Sequence, residues 1–247
     1  MKKKWVKIAI IAAIALVAAA GLAALTIWVV IPAVNYSKAD TLMAEGDYPA
    51  AFDAFDRLGD YRDAQARKGK VQQEVIGARA SDTLEFGGYE WLVLEQRDNK
   101  ALLLMKDILE KRPYNESNLQ ITWEGCTLRM WLNGQFYEAF SQADRARIVE
   151  TTVVNSPNPQ SGTAAGGDTK DHVFLLSLTE AKLYFASDAT RAATNVDGTA
   201  AWWWLRSPGL EPFLAAIVGS EGAVGYAGSS VNYYDRGVRP AMWVTAE

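Results

Sequence analysis

The chain is 247 residues long, 49% hydrophobic and 22% charged, the composition of a folded rather than a disordered protein. Its formal net charge is -4, and because Lys2, Lys3, Lys4 and Lys7 precede a long apolar run, the remainder is more acidic still. That balance excludes nucleic acid as a partner, since phosphate recognition needs a basic face. A single Cys (Cys126) and a single His (His172) exclude an intrachain disulfide, a Cys/His zinc cluster and a redox Cys pair.

Residues 8–34 carry no charge and are almost entirely aliphatic. A membrane-spanning helix needs ~20 apolar residues, whereas the apolar core of a cleaved signal peptide has about 7–15. The run therefore predicts one uncleaved transmembrane helix, with Trp5 and Trp28 near its ends. Four Lys before the span and only Lys38 soon after it place the N-terminus in the cytoplasm and the bulk of the chain outside. The division is then a cytoplasmic tip and anchor over 1–34, a helical stalk over 35–80 and a C-terminal domain over 81–247.

Residues 36–77 read as helix, interrupted at Gly46-Asp47 and Gly59-Asp60. The phrase Gly-Asp-Tyr-x-x-Ala occurs twice, at Gly46 to Ala51 and at Gly59 to Ala64. It resembles the second helix of a tetratricopeptide repeat, in which the small Ala lets two helices approach. One such unit cannot bury its apolar face alone. It reads as a short helical hairpin that spaces its neighbour from the membrane, with a peptide-binding groove as the alternative.

From Ser81 the pattern changes. Thr83 to Phe86 and Tyr89 to Leu94 read as strands around a Gly87-Gly88 turn, and Asp98-Asn99-Lys100 leads into a third, Ala101 to Met105. Cys126 to Asn133 has helical spacing, Ser141 caps a helix reaching Val149, and Val173 to Leu176 reads as a buried strand. Another helix begins at Thr179, and short strands with Gly-rich bends follow Trp202. The mixture gives an α+β domain.

Four segments carry a resemblance: Trp123-Glu124-Gly125-Cys126-Thr127-Leu128-Arg129-Met130-Trp131-Leu132-Asn133, Asp171 to Ser177, Trp203-Trp204-Leu205-Arg206-Ser207-Pro208-Gly209, and Gly237-Val238-Arg239-Pro240-Ala241. They resemble the motifs of an uncharacterised bacterial extracellular domain family. That family is similar in fold to the C-type-lectin-like domains of formylglycine-generating enzymes and of retroelement-diversified receptors. The resemblance implies a closed loop fold in which the first strands, near Trp91, pair beside the final strand, Ala241 to Val244. Trp131, Trp204 and Trp243 are then core, and Arg206 and Arg239 fix loop carbonyls or a carboxylate.

The stretch from Pro208 to Gly237 carries the candidate site. Gly219, Gly222, Gly225 and Gly228 recur every third residue and read as strand-and-bend geometry, since no Lys or Arg stands between Arg206 and Arg236 to serve a phosphate. Tyr, Ser and Asn then accumulate, the composition of a recognition surface. By position in the resembling receptors, the ligand-binding residues are Glu211, Phe213, Tyr226, Ser229, Asn232, Tyr233 and Tyr234. Glu211-Pro212-Phe213 lacks the Asn of a calcium-dependent sugar site, and Asn155, Asp168 and Asp171 read as turn residues as readily as calcium ligands. No metal and no cofactor is therefore expected.

The reading that results is a membrane-anchored receptor or adhesin-like protein that binds an extracellular protein or glycan. Its rivals are a degenerate formylglycine-type enzyme, which Cys126 alone leaves without the copper-holding cysteine pair, and a structural envelope protein.

Overall fold

The computed structural model of the chain describes residues 26–77 and 83–245, together with Ala20 and Ala23. Most of the apolar run over 8–34 lies outside these residues. Among the described residues, no helix is long and apolar enough to cross a membrane. Two compact units divide between Val71 and Gln72.

In the first unit a π-helical turn, Thr26–Val30, leads into α1 (Ile31–Ala44). The helices α2 (Tyr48–Arg57) and α3 (Ala64–Gly77) follow, the last running across the division between the units. The chain can reverse after α1 because Gly46 takes a φ of +76°, and Asp47 then caps α2 by accepting from Ala50 N at 3.2 Å. Tyr36 and Ala39 of α1 are buried, as are Ala51, Phe52 and Phe55 of α2, with the Tyr36 and Phe55 rings 5.7 Å apart. Ala51 and Ala64, the two Ala of the repeated phrase, are both fully buried, as a close helix approach requires. The region is thus three helices separated by the two Gly-Asp breaks rather than a single hairpin.

The second unit is α+β. It contains β1 (Thr83–Phe86), β2 (Tyr89–Arg97), β3 (Lys100–Met105), β4 (Glu110–Lys111), α4 (Thr127–Trp131), α5 (Gln142–Arg147), β5 (Ile148–Val149), β6 (Thr151–Val153) and β7 (Thr169–Asp171). After these come α6 (Leu178–Leu183), α7 (Asp188–Arg191), β8 (Ala193–Thr194), β9 (Ala200–Ala201), β10 (Trp203–Pro208), β11 (Leu214–Val218), β12 (Val224–Ser230), β13 (Gly237–Val238) and β14 (Ala241–Thr245). One five-stranded sheet runs β1-β2-β3-β14-β5, and a second runs β12-β11-β10-β13-β4.

Turn chemistry sets the first sheet. Gly87 and Gly88 take φ of +59° and +82°, and Asp98 and Asn99 take +48° and +57°, the left-handed pairs that a two-residue hairpin demands. The last strand, β14, then pairs antiparallel with Lys100 to Leu104 of β3, with Trp243 opposite Leu102. The ends of the domain therefore meet as the resemblance implies, with β3 rather than the Trp91 strand as the direct neighbour.

The core is built on Trp91, Trp123, Trp203 and Trp204, all fully buried. Most of their indole N–H groups are matched: Trp91 Nε1 donates to Phe86 O (2.9 Å), Trp123 Nε1 to Asp171 Oδ2 (2.8 Å) and Trp204 Nε1 to Arg112 O (2.8 Å). Trp243 is buried too, but Trp131 is not core. It is only partly buried, with the Phe136 ring centre 5.5 Å away and the Arg112 guanidinium 4.2 Å over its ring. Residues 173–176 are buried yet form no strand; Phe174 makes only a single bridge to Ala241. An apolar run of four residues does not distinguish a strand from buried coil.

Candidate functional site

The site begins where the second sheet ends. β12 pairs antiparallel with β11, Leu214 lying opposite Ser230, and the buried Val231 donates its N–H to Phe213 O at 3.1 Å. Residues 232–235 then leave the sheet in a turn closed by Tyr233 N–H donating to Ser230 O (3.0 Å). The chain re-enters it where Gly237 N–H donates to Trp202 O at 2.7 Å. A second segment runs alongside: Asn115 N–H donates to Val231 O (2.8 Å) and Arg112 N–H to Arg236 O (3.1 Å). The loop is thus pinned at both ends by backbone bonds.

Its side chains are exposed and yet held. Tyr233 is 51% exposed, Tyr234 63% and Trp202 44%. The Arg236 guanidinium lies 5.1 Å from the Trp202 ring centre and 5.4 Å from that of Tyr233, while its Nη1 donates to Asp235 Oδ1 at 2.7 Å. Its Nε is buried without a hydrogen-bond partner. Tyr234 donates its hydroxyl to Glu116 Oε2 at 2.9 Å, and that bond to a carboxylate raises the phenol pKa above its ordinary value. Ser230 Oγ lies 2.9 Å from Asn232 Oδ1 and 3.2 Å from Asn118 Oδ1.

Of the residues singled out from the sequence, Asn232, Tyr233 and Tyr234 share this loop. Glu211 and Phe213 are exposed on the adjoining turn, whose Pro212 O accepts from Ile121 N–H at 3.0 Å. Ser229 does not face outward. It is buried opposite Ala215 of β11. Tyr226 is half-buried under Lys182, whose Nζ is 5.9 Å from its ring centre, and its carbonyl accepts from Asn158 Nδ2 at 2.9 Å. Sequence reasoning missed Trp202, Arg236, Glu116 and Asn118. The first two flank residues already singled out, and Arg236 was legible as the first cation after Arg206, close behind the Tyr pair; the 116–118 segment carried no signal.

Arg206 and Arg239 stand apart from this face. Arg206 donates through Nη1 to Leu175 O (2.8 Å) and through Nη2 to Val154 O (3.1 Å), and it clasps the Glu180 carboxylate with both nitrogens. Arg239 donates to the carbonyls of Met105 (2.9 Å), Arg191 (3.1 Å) and Lys106 (2.8 Å). Burial pushes its pKa down to about 10, which still leaves it charged at neutral pH.

Asp171 is equally engaged. Its carboxylate accepts from Trp123 Nε1, Thr169 Oγ1 (2.8 Å) and Arg129 Nε (2.7 Å), which leaves little of it for a cation. Asp168 accepts from Asn155 N–H at 2.9 Å. Among the described residues, no group of three or more His, Cys, Asp or Glu is placed to hold a metal. Cys126 is buried at the start of α4, its sulfur accepting from Arg129 N–H at 3.4 Å, and burial pushes its thiol pKa up to about 12. His172 stacks on Tyr137 with ring centres 4.3 Å apart.

No curated protein and no solved structure matches the chain. A family model does, over residues 98–246, which takes in the four motif segments but not β1 and β2. With more than half its length matched, the chain belongs to the family described as a domain of unknown function, DUF6273.

Proposed function

We propose that the chain is a membrane-anchored, extracytoplasmic recognition protein whose C-terminal domain has a C-type-lectin-like fold and binds its ligand through the Trp202, Tyr233 and Tyr234 face. The observation that carries this is that two adjacent tyrosines are each more than half exposed and each in contact with a charged neighbour, Tyr233 with Arg236 and Tyr234 with Glu116. Rings held in place before contact lose little entropy on binding, which favours recognition. The meeting of β14 with β3 supports the lectin-like reading, because that fold closes its ends together.

The anchor is supported by the apolar run over 8–34 and by its visible end. Ile27, Trp28, Val29, Val30 and Ile31 are 47–76% exposed. Five consecutive helical residues cover every face of a helix, so this is no amphipathic stripe awaiting one neighbour; an apolar medium all round suits it.

Two measurements test the proposal. The full-length protein should resist carbonate extraction from membranes, and a C-terminal tag should be removed by protease added to intact cells. Tyr233→Ala with Tyr234→Ala should abolish ligand binding without shifting the melting temperature by more than a few degrees. A protected tag overturns the topology, and binding indifferent to both substitutions overturns the face.

A further inference from the structure

We infer that the occupant of this face is a cationic segment of a partner protein, one in which Lys or Arg stand among apolar side chains. The inference rests on the recognition face proposed above and adds the chemistry of its partner.

Three stretches of chain are tied together here. Residues 115–121 join the loop through Asn115 N–H, which donates to Val231 O (2.8 Å), and join the turn after β10 through Ile121 N–H, which donates to Pro212 O (3.0 Å). That turn is bound to the loop in its own right, since Val231 N–H donates to Phe213 O. Leu119, Phe213, Tyr233 and Tyr234, all 41–63% exposed, therefore stand on neighbouring segments. They need not share a plane: a protein partner follows relief, and interfaces are enriched in aromatic anchors of this kind.

Charge selects the occupant. Elsewhere in the domain, carboxylates are answered by cations: Glu90 by Lys106 (2.8 Å), Asp171 by Arg129 (2.7 Å), Asp188 by Arg191 (2.6 Å) and Glu180 by Arg206. On this face the balance is different. Glu211 is exposed and has no hydrogen bond or ion pair among the described residues. Glu116 accepts the Tyr234 hydroxyl on Oε2, and Asp235 meets Arg236 through Oδ1. No Lys or Arg stands between Arg112 and Arg129, or between Arg206 and Arg236. Three carboxylates thus share one cation.

That cation shows how another is held. The Arg236 guanidinium rests against the Trp202 and Tyr233 rings while pairing with Asp235. A ring beside a carboxylate attracts a guanidinium or an ammonium group. Tyr234 with Glu116, and Phe213 with Glu211 on one turn, repeat the combination without a cation of their own. An anionic partner is repelled, and a purely apolar one strands the carboxylates without a counter-charge.

The test uses the full-length protein in phosphatidylcholine nanodiscs, with empty discs as the blank. Its probe is a capped heptapeptide of alternating Lys and Tyr; one counterpart carries Glu for every Lys, another Ser for every Tyr. Fluorescence anisotropy should give a dissociation constant on the order of 10–100 μM for the Lys/Tyr peptide. Each counterpart should bind roughly tenfold or more weakly. Glu116→Gln with Glu211→Gln should weaken binding about tenfold, as should Phe213→Ala with Tyr233→Ala. Glu85→Gln with Glu138→Gln removes the same two charges from exposed positions outside the face and should change binding less than about twofold.

The inference is overturned if the Lys/Tyr peptide does not bind at about 1 mM, tenfold above the weaker constant, or if either counterpart binds as tightly. It also falls if the Glu85, Glu138 pair matters as much as the Glu116, Glu211 pair. Should a neutral or anionic ligand be found whose binding is lost in the Tyr233→Ala, Tyr234→Ala variant while the cationic peptide does not bind, the cationic partner is refuted but the face stands. If no ligand of any class depends on those tyrosines, both readings fall.

Discussion

Arg206 illustrates how a buried charge is tolerated. Its guanidinium forks onto Glu180, which itself accepts from Ser177 N–H at 2.8 Å to complete the capping box of α6, and onto two carbonyls. Removing one partner of a buried pair strands the other, typically at a cost of 3–5 kcal/mol. Arg206→Ala should therefore lower stability by about 3 kcal/mol, or ~6–12 °C in melting temperature, readable by calorimetry. Arg206→Lys should recover little, since a point charge cannot reproduce the fork. Cys126 offers a second measurement. With its thiol pKa at about 12, the folded protein should resist iodoacetamide at pH 8 and react once denatured. The sign with pH follows. An unfolded thiol ionises near about 8.5 and the folded one does not, so this group withdraws stability as pH rises from there towards about 12. At this scale the sequence is uneven. Trp131 and Trp204 sit in similar apolar contexts, and only the tertiary approach of Arg112 to one ring and Tyr114 to the other separates them.

Elements defined by local chemistry are legible in the sequence. The Gly87-Gly88 and Asp98-Asn99 turns need only left-handed φ, and Ser141 caps α5 by accepting from Asp144 N–H at 3.1 Å. Features that depend on long-range partners are not. Residues 173–176 are held by Asn133 at Val173, by Ala241 at Phe174 and by Arg206 at Leu175 and Leu176, and Ser229 is buried opposite Ala215. The left-handed glycines divide along the same line. Gly222 takes a φ of +85° and a Cβ there would meet Asp188 O at 1.8 Å, whereas Gly88, at +82°, has nothing within 4 Å. Gly88→Ala should cost about 1 kcal/mol for the left-handed strain alone. Gly222→Ala must in addition displace the backbone at α7, so it should cost several times more, and parallel urea titrations of the two variants would show the gap.

For the molecule as a whole, the shift from helical to strand periodicity is readable near residue 80, whereas the compact units divide between Val71 and Gln72, and the order of strands is not readable at all. β14 lies inside the first sheet, between β3 and β5. Ending the chain after Pro240 removes Trp243 and Val244 from the core and deprives β3 of one of its two partner strands. Such a truncation should leave the second unit unable to fold cooperatively, seen as loss of near-ultraviolet circular dichroism.

The same placement governs how the protein comes into being. β3 waits for a partner made some 140 residues later, so the first sheet cannot close until β14 has been synthesised. Until β14 emerges, Leu102 to Met105 form an unfinished edge, open to any stray strand. Closure of the sheet is accordingly a late step, and the yield of folded molecules depends on that edge staying unpaired until then.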